Sequence, residues 1–248
     1  MLFILLPRSV KIFHYYTNAP LKEITAKLQN SKLDKFVIEI EQESYYPKFK
    51  IIKDPKDTSI TGKLQIPKQN EINDKPSIHY DVYDFYLDKK TNLAIIQGNQ
   101  PQSFRILRNA LEGIAEMREF ERNKDMMIRI SDYIKNNSNS IIHDPRFEFA
   151  GVKGYKGLSR EGFTVTRTRC ATSRAGYDER LSKASMFEPI FRIFKIKGIV
   201  EEENEKGKLL KINRSFRFSM YVDVSFDEWI AFINHVFLAL RDESDAKN

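Results

Sequence analysis

One cysteine, Cys170, stands in 248 residues, so an intramolecular disulfide is excluded and a zinc site built on thiolates has no ligands. Histidine is nearly as scarce. His14, His79, His143 and His235 stand singly, none with a second histidine or cysteine at ligand spacing, so the sequence offers no metal centre and no cofactor site. No apolar run approaches the roughly 20 residues that a membrane-crossing helix needs, and no helical pattern carries a basic polar face, so no membrane partner is expected. Residues 1–7 are apolar, but no basic segment precedes them and no small-x-small cleavage site follows. They read as a buried first strand, and with the lone thiol the expected location is cytoplasmic.

What is present is enough to build a core: 41% hydrophobic and 12% aromatic residues. Asn18-Ala19-Pro20 can open a helix with Leu21, Ile24 and Leu28 on one side, since proline is tolerated at a helix start. Phe36, Ile38 and Ile40 alternate as a half-buried strand, and short strands are expected at 49–52 and 63–66. Residues 53–57 and 67–76 are polar, proline-bearing loops in this reading. Ile78, Tyr80 and Val82 alternate with polar partners in a strand over 78–87, 88–92 is its turn, and 93–97 returns. The spacing of Phe104, Leu107, Leu111, Ile114, Met117 and Phe120 predicts one long amphipathic helix to Arg122, followed by a second carrying Met127, Ile130 and Ile134.

The polar stretch 136–140 marks a boundary between a half at 1–138 and a half at 139–248. In the second half, Phe191, Ile193 and Ile196 lie in a strand, 201–207 is a charged turn, and Leu210, Ile212, Phe216, Phe218, Met220, Val222 and Val224 share one parity. Ser225 and Glu228 fit a capping box, Val224 and Trp229 a hydrophobic staple, and Trp229, Ile233, Val236 and Leu240 a buried stripe. Residues 78–122 and 190–241 therefore share a strand-turn-strand-helix pattern, as an internal duplication would produce. The expected class is α+β: two halves, each an antiparallel sheet covered by helices.

Charge is unevenly spread. The chain carries 41 basic and 34 acidic residues, but 146–220 alone holds 17 basic against 9 acidic, while 221–248 holds 2 against 6. A localised basic excess on a folded domain is the electrostatic footprint of a polyanion. Within it, residues 147–162 interleave four glycines with Lys153, Tyr155, Lys156 and Arg160, which suits close approach of backbone amides to phosphate. Their order fits neither a Walker loop nor the dinucleotide fingerprint. In 163–170, Phe163, Val165, Arg167 and Arg169 share one face and the threonines share the other with Cys170; Arg174 follows. Opposite the inward parity of 210–224 stand Lys211, Asn213, Ser215, Arg217, Ser219 and Tyr221, with no acid from 206 to 222. Arg214 breaks the parity, as a bulge or hairpin turn would.

Catalysis has little to work with. His79 and Asp81 share a strand face but read as a satisfied strand pair, Cys170 as a packed small hydrophobe, and 201–203 and Glu116, Glu119 and Glu121 as surface carboxylates. The expected function is non-enzymatic nucleic-acid binding, DNA or RNA, through phosphate contacts from Lys153, Lys156, Arg160, Arg167, Arg169, Arg174, Lys211, Arg214 and Arg217, with Tyr155 or Tyr221 stacking bases. The alternatives are an accessory subunit of a larger nucleoprotein complex, with a protein partner, and an enzyme acting on phosphodiesters.

Overall fold

Antiparallel pairing builds most of this mixed α and β protein, and helices are few among the described residues. A computed structural model describes residues 9–33, 36–53, 58–72, 75–98, 101–120, 129–130, 142–159, 162–173, 192–202, 205–213, 216–220 and 224–245. The chain divides into two compact units, one of Ser9–Phe120 with Ser225–Asn234 and one of Glu121–Val224 with the residues from His235 onward.

The first unit contains β1 (Ser9–Tyr16), α1 (Leu21–Gln29), β2 (Ile38–Ile40), β3 (Glu43–Tyr45), β4 (Lys48–Ile51), β5 (Ser59–Ile72), β6 (Lys75–Asp88), β7 (Leu93–Gln97), α2 (Pro101–Ala110) and β8 (Glu116–Glu119). Its sheet runs β8-β1-β7-β6-β5-β4, and β2 and β3 form a separate hairpin. Alternation puts Phe13, Tyr15, Phe49, Leu64, Phe85, Leu87, Ala94 and Ile96 into one core with Leu21, Ile24 and Leu28 of α1 and Phe104, Ile106 and Leu107 of α2. The Phe13 and Phe104 rings stack at 4.2 Å. Proline at the start of α1 and the β6–β7 hairpin stand where the sequence places them.

Two expectations are corrected. The helix after Pro101 ends at Ala110, not at Arg122: Gly113 takes φ +87°, a conformation that only glycine adopts at little cost, and the chain turns back as β8. Met117 pairs with Tyr15 of β1 and is buried, as is Phe120, so two inward residues three apart fit a helical period without being helical. Glu116 and Glu119 lie on this edge strand, where Glu119 accepts from Lys11 Nζ at 2.8 Å. Nor is 67–76 a loop, because β5 and β6 pair continuously from Ser59↔Asp88 to Ile72↔Lys75. Pro67 is tolerated since the last β4 pair is Lys48↔Gln65; beyond it β5 has an open edge, and a missing N–H loses no ladder bond there.

The second unit contains β9 (Ile142–Ser159), β10 (Gly162–Ser173), β11 (Arg192–Glu202), β12 (Glu205–Asn213) and β13 (Arg217–Met220), in the order β10-β9-β11-β12-β13. The expected charged turn is the β11–β12 hairpin, closed by Glu202↔Glu205. The parity break falls on Arg214, which lies outside the described residues; β12 ends at Asn213, β13 begins at Arg217, and Phe216 before it has φ +54°. Among the described residues, 190–241 thus holds three strands before its helix where 78–122 holds two.

α3 (Phe226–Asp245) begins with the expected capping box: the Glu228 N–H donates to Ser225 Oγ at 3.2 Å, and the Ser225 N–H donates to Glu228 Oε2. Trp229, Ile233 and Val236 are buried, as is Val224. The expected first strand at 1–7, the helical residues Met127 and Ile134 and the boundary at 136–140 lie outside the described residues.

Candidate nucleic-acid interface

In a sheet, residues paired across strands lie on the same face and successive residues alternate, so the register of the second unit sorts its residues without reference to side-chain conformation. One row reads Phe218, Ile212, Ile196, Phe147 and Thr172 from β13 to β10. Ile212 and Phe218 are fully buried, which makes this the core face. Cys170 pairs with Phe149, and Phe149 with Ile193, on that same face.

The neighbouring row belongs to the opposite face and reads Ser219, Lys211, Lys197, Arg146 and Ser173. Three cations on three adjacent strands are flanked by two serines. Along the same face, the next row holds Asn213, Lys195, Glu148 and Ala171, and the one after it Arg192, Ala150 and Arg169. Arg167 follows, paired with Val152, and Arg217 shares the parity of Ser219 on β13.

The register therefore brings together four of the residues expected from the sequence: Arg167, Arg169, Lys211 and Arg217. Tyr155, paired with Val165, shares their face, while Lys156, paired with Thr164, falls on the other. Lys153 lies in the irregularity between Val152 and Tyr155, where β9 spends three residues against two of β10. Arg160, Arg174, Arg214 and Tyr221 lie outside the described residues. Four further cations on the face, Arg146, Arg192, Lys195 and Lys197, were not singled out by sequence reasoning. Lys195 and Lys197 flank Ile196 in plain alternation, and that signal was available.

Neighbouring strands are about 4.8 Å apart, so charges on directly paired residues start close together. Two like charges about 5 Å apart repel by roughly 0.8 kcal/mol in water and by more where solvent is partly excluded. Like charges directly opposite one another destabilise a sheet. Lys197 has such a neighbour on both sides, and no carboxylate stands in its row. Lys195 differs, since its pair on β9 is Glu148.

Elsewhere, polar groups that could suggest chemistry are already engaged. Asp81 pairs with Lys68 at 2.5 Å, and this hydrogen bond and charge raise the Lys68 pKa above its ordinary value; Asp81 also accepts from the Tyr83 hydroxyl at 3.2 Å. His79 Nε2 lies 3.2 Å from Ser77 Oγ. Among the described residues no group of three or more His, Cys, Asp or Glu could hold a metal ion, and no helix is long and apolar enough to cross a membrane. The chain matches no protein-family model and no curated protein.

Proposed function

We propose that the protein binds nucleic acid without catalysing a reaction on it, holding the phosphate backbone against the cationic face of β9–β13. The row Lys211, Lys197 and Arg146 carries this reading. Its mutual repulsion is a standing cost to the free protein, and a phosphate chain laid across the strands offsets all three charges at once while releasing its own counterions. Strands present these cations on a broad pleated surface, not on a helix shaped for the major groove, so the contacts position the partner more than they read its sequence. In this reading each half is an antiparallel sheet with helical cover on one side, and the second half keeps its charged face for the polyanion. The same face would serve if the protein acts as an accessory subunit of a nucleoprotein complex.

The experiment is fluorescence anisotropy of unrelated duplex and single-stranded oligonucleotides across a range of salt. Binding should weaken linearly on a log–log plot, and Lys211→Ala should shallow the slope by roughly one unit on every sequence alike. Salt-independent binding, or a Lys211→Ala variant that stays folded with affinity and slope unchanged, would overturn the reading. Selectivity above about a thousandfold between sequences would show base-edge readout from another surface.

A further inference from the structure

The β2–β3 hairpin of the first unit closes through two residues. Ile40 pairs with Glu43, and Glu41 and Gln42 between them have φ of +49° and +74°. Such turns match the twist of paired strands but usually recruit Asn-Gly, because positive φ crowds a side chain. Here both turn residues carry long polar side chains.

Beside this hairpin lies an open groove of about 500 Å³, whose lining includes Glu41, Glu43, Tyr45, Lys48, Ile78 and Tyr80. The carboxylates come from the hairpin, the ammonium from β4 and the Tyr80 ring from β6. The Tyr45 hydroxyl donates to Glu43 Oε2 at 2.7 Å. The Lys48 ammonium lies 5.0 Å from the centroid of the Tyr80 ring.

Charge selects among the ligands that an aromatic groove could take. A free organic cation would be drawn to the carboxylates and to the ring, but Lys48 already covers the Tyr80 ring and would repel it. A simple anion would meet Lys48 but also two carboxylates. A planar ligand with N–H donors on one edge and a phosphate at the other end satisfies every group: the donors face a carboxylate, and the phosphate draws the Lys48 ammonium off the Tyr80 ring, which frees the ring to stack. We infer that this groove binds an unpaired nucleobase bearing an exocyclic amino group, stacked on tyrosine, with the amino group donating to Glu43 or Glu41 and its phosphate beside Lys48. The inference rests on the nucleic-acid reading for the source of that base, an unpaired position of a bound strand.

Cytidine and uridine monophosphate separate the possibilities, because they differ where the carboxylate would act: cytosine offers N4–H₂, uracil a carbonyl oxygen. Calorimetric titration of the full chain should show CMP binding about tenfold more tightly than UMP, the lower part of the range for a well-made base-edge contact. Glu43→Gln should erase that preference, since an amide can accept from cytosine or donate to uracil. Tyr80→Leu should weaken both nucleotides about tenfold through lost stacking. Equal affinity for CMP and UMP, no binding of either, or tighter binding of N-methylguanidinium than of CMP would overturn the inference; the last would make the groove a cation site. The cationic face is tested separately by the salt dependence of duplex binding, because a duplex presents no unpaired base, so either idea can fail alone.

Discussion

Removing the central charge of the cationic row should stabilise the free protein while weakening its grip on nucleic acid. Lys197 is paired on one side with Lys211 and on the other with Arg146. Each contact costs roughly 0.8 kcal/mol in water at about 5 Å, and long side chains reduce that by splaying apart. Lys197→Gln, which keeps most of the aliphatic stem, should therefore gain about 0.5–1.5 kcal/mol at low ionic strength. In a chain of this size each kcal/mol raises the melting temperature by about 2–4 °C. Urea denaturation at about 0.01 M salt, where the Debye length is about 30 Å, should reveal the gain, and at about 1 M, where it is about 3 Å, the gain should vanish. Lys195→Gln is the matched control: its β9 pair is Glu148, so the same change should be neutral or slightly destabilising. In binding, Lys197→Gln should lose affinity on all sequences. A Lys197→Gln protein that is less stable than its parent at low salt, or whose gain persists at high salt, refutes the like-charge row.

Three further outcomes test the packing. Trp229 is 1% exposed, and Trp229→Ala should destabilise by about 3–5 kcal/mol in chemical denaturation; a loss below about 1 kcal/mol would mean the indole contributes little to the core. A Cβ at Gly62 would sit 2.6 Å from the buried Phe85 ring and 2.9 Å from the Lys50 carbonyl oxygen, so Gly62→Ala should cost about 1–3 kcal/mol by overpacking, and unchanged stability would contradict that close approach. The Tyr15 hydroxyl is buried with no hydrogen-bond partner among the described residues, and burial, aided by the Asp88 charge, pushes its pKa well above the ordinary 10.0. The folded state then holds this proton more tightly than the unfolded chain does, so its contribution is full below about pH 10 and is lost as pH rises further. Tyr15→Phe should leave stability at neutral pH equal or slightly higher and make the alkaline loss shallower; the same loss as in the parent would show that Tyr15 is not the group responsible.

Local chemistry was legible wherever the signal and its partner lie close in the chain. The capping box at Ser225 and Glu228, the opening of α1 and the β6–β7 hairpin each depend on contacts a few residues apart. So does the alternation that sets Lys211 apart from Ile212, because a strand's two faces follow from a period of two. Where the chain turns back on a distant strand, the local period misled: the spacing of Met117 and Phe120 read as helix, but the turn at Gly113 and the pairing of Met117 with Tyr15 of β1 make that segment a strand. Pro67 read as a loop because the absence of a neighbouring strand on its open edge is not a local property. The cationic row is the clearest case. Composition located the basic excess between 146 and 220, and the β11–β12 hairpin sets Lys197 beside Lys211, but Arg146 is far from both in the chain and joins them only because β11 also pairs with β9. Register between strands distant in sequence is set by how their apolar faces share one core, and that is a property of the assembled sheet.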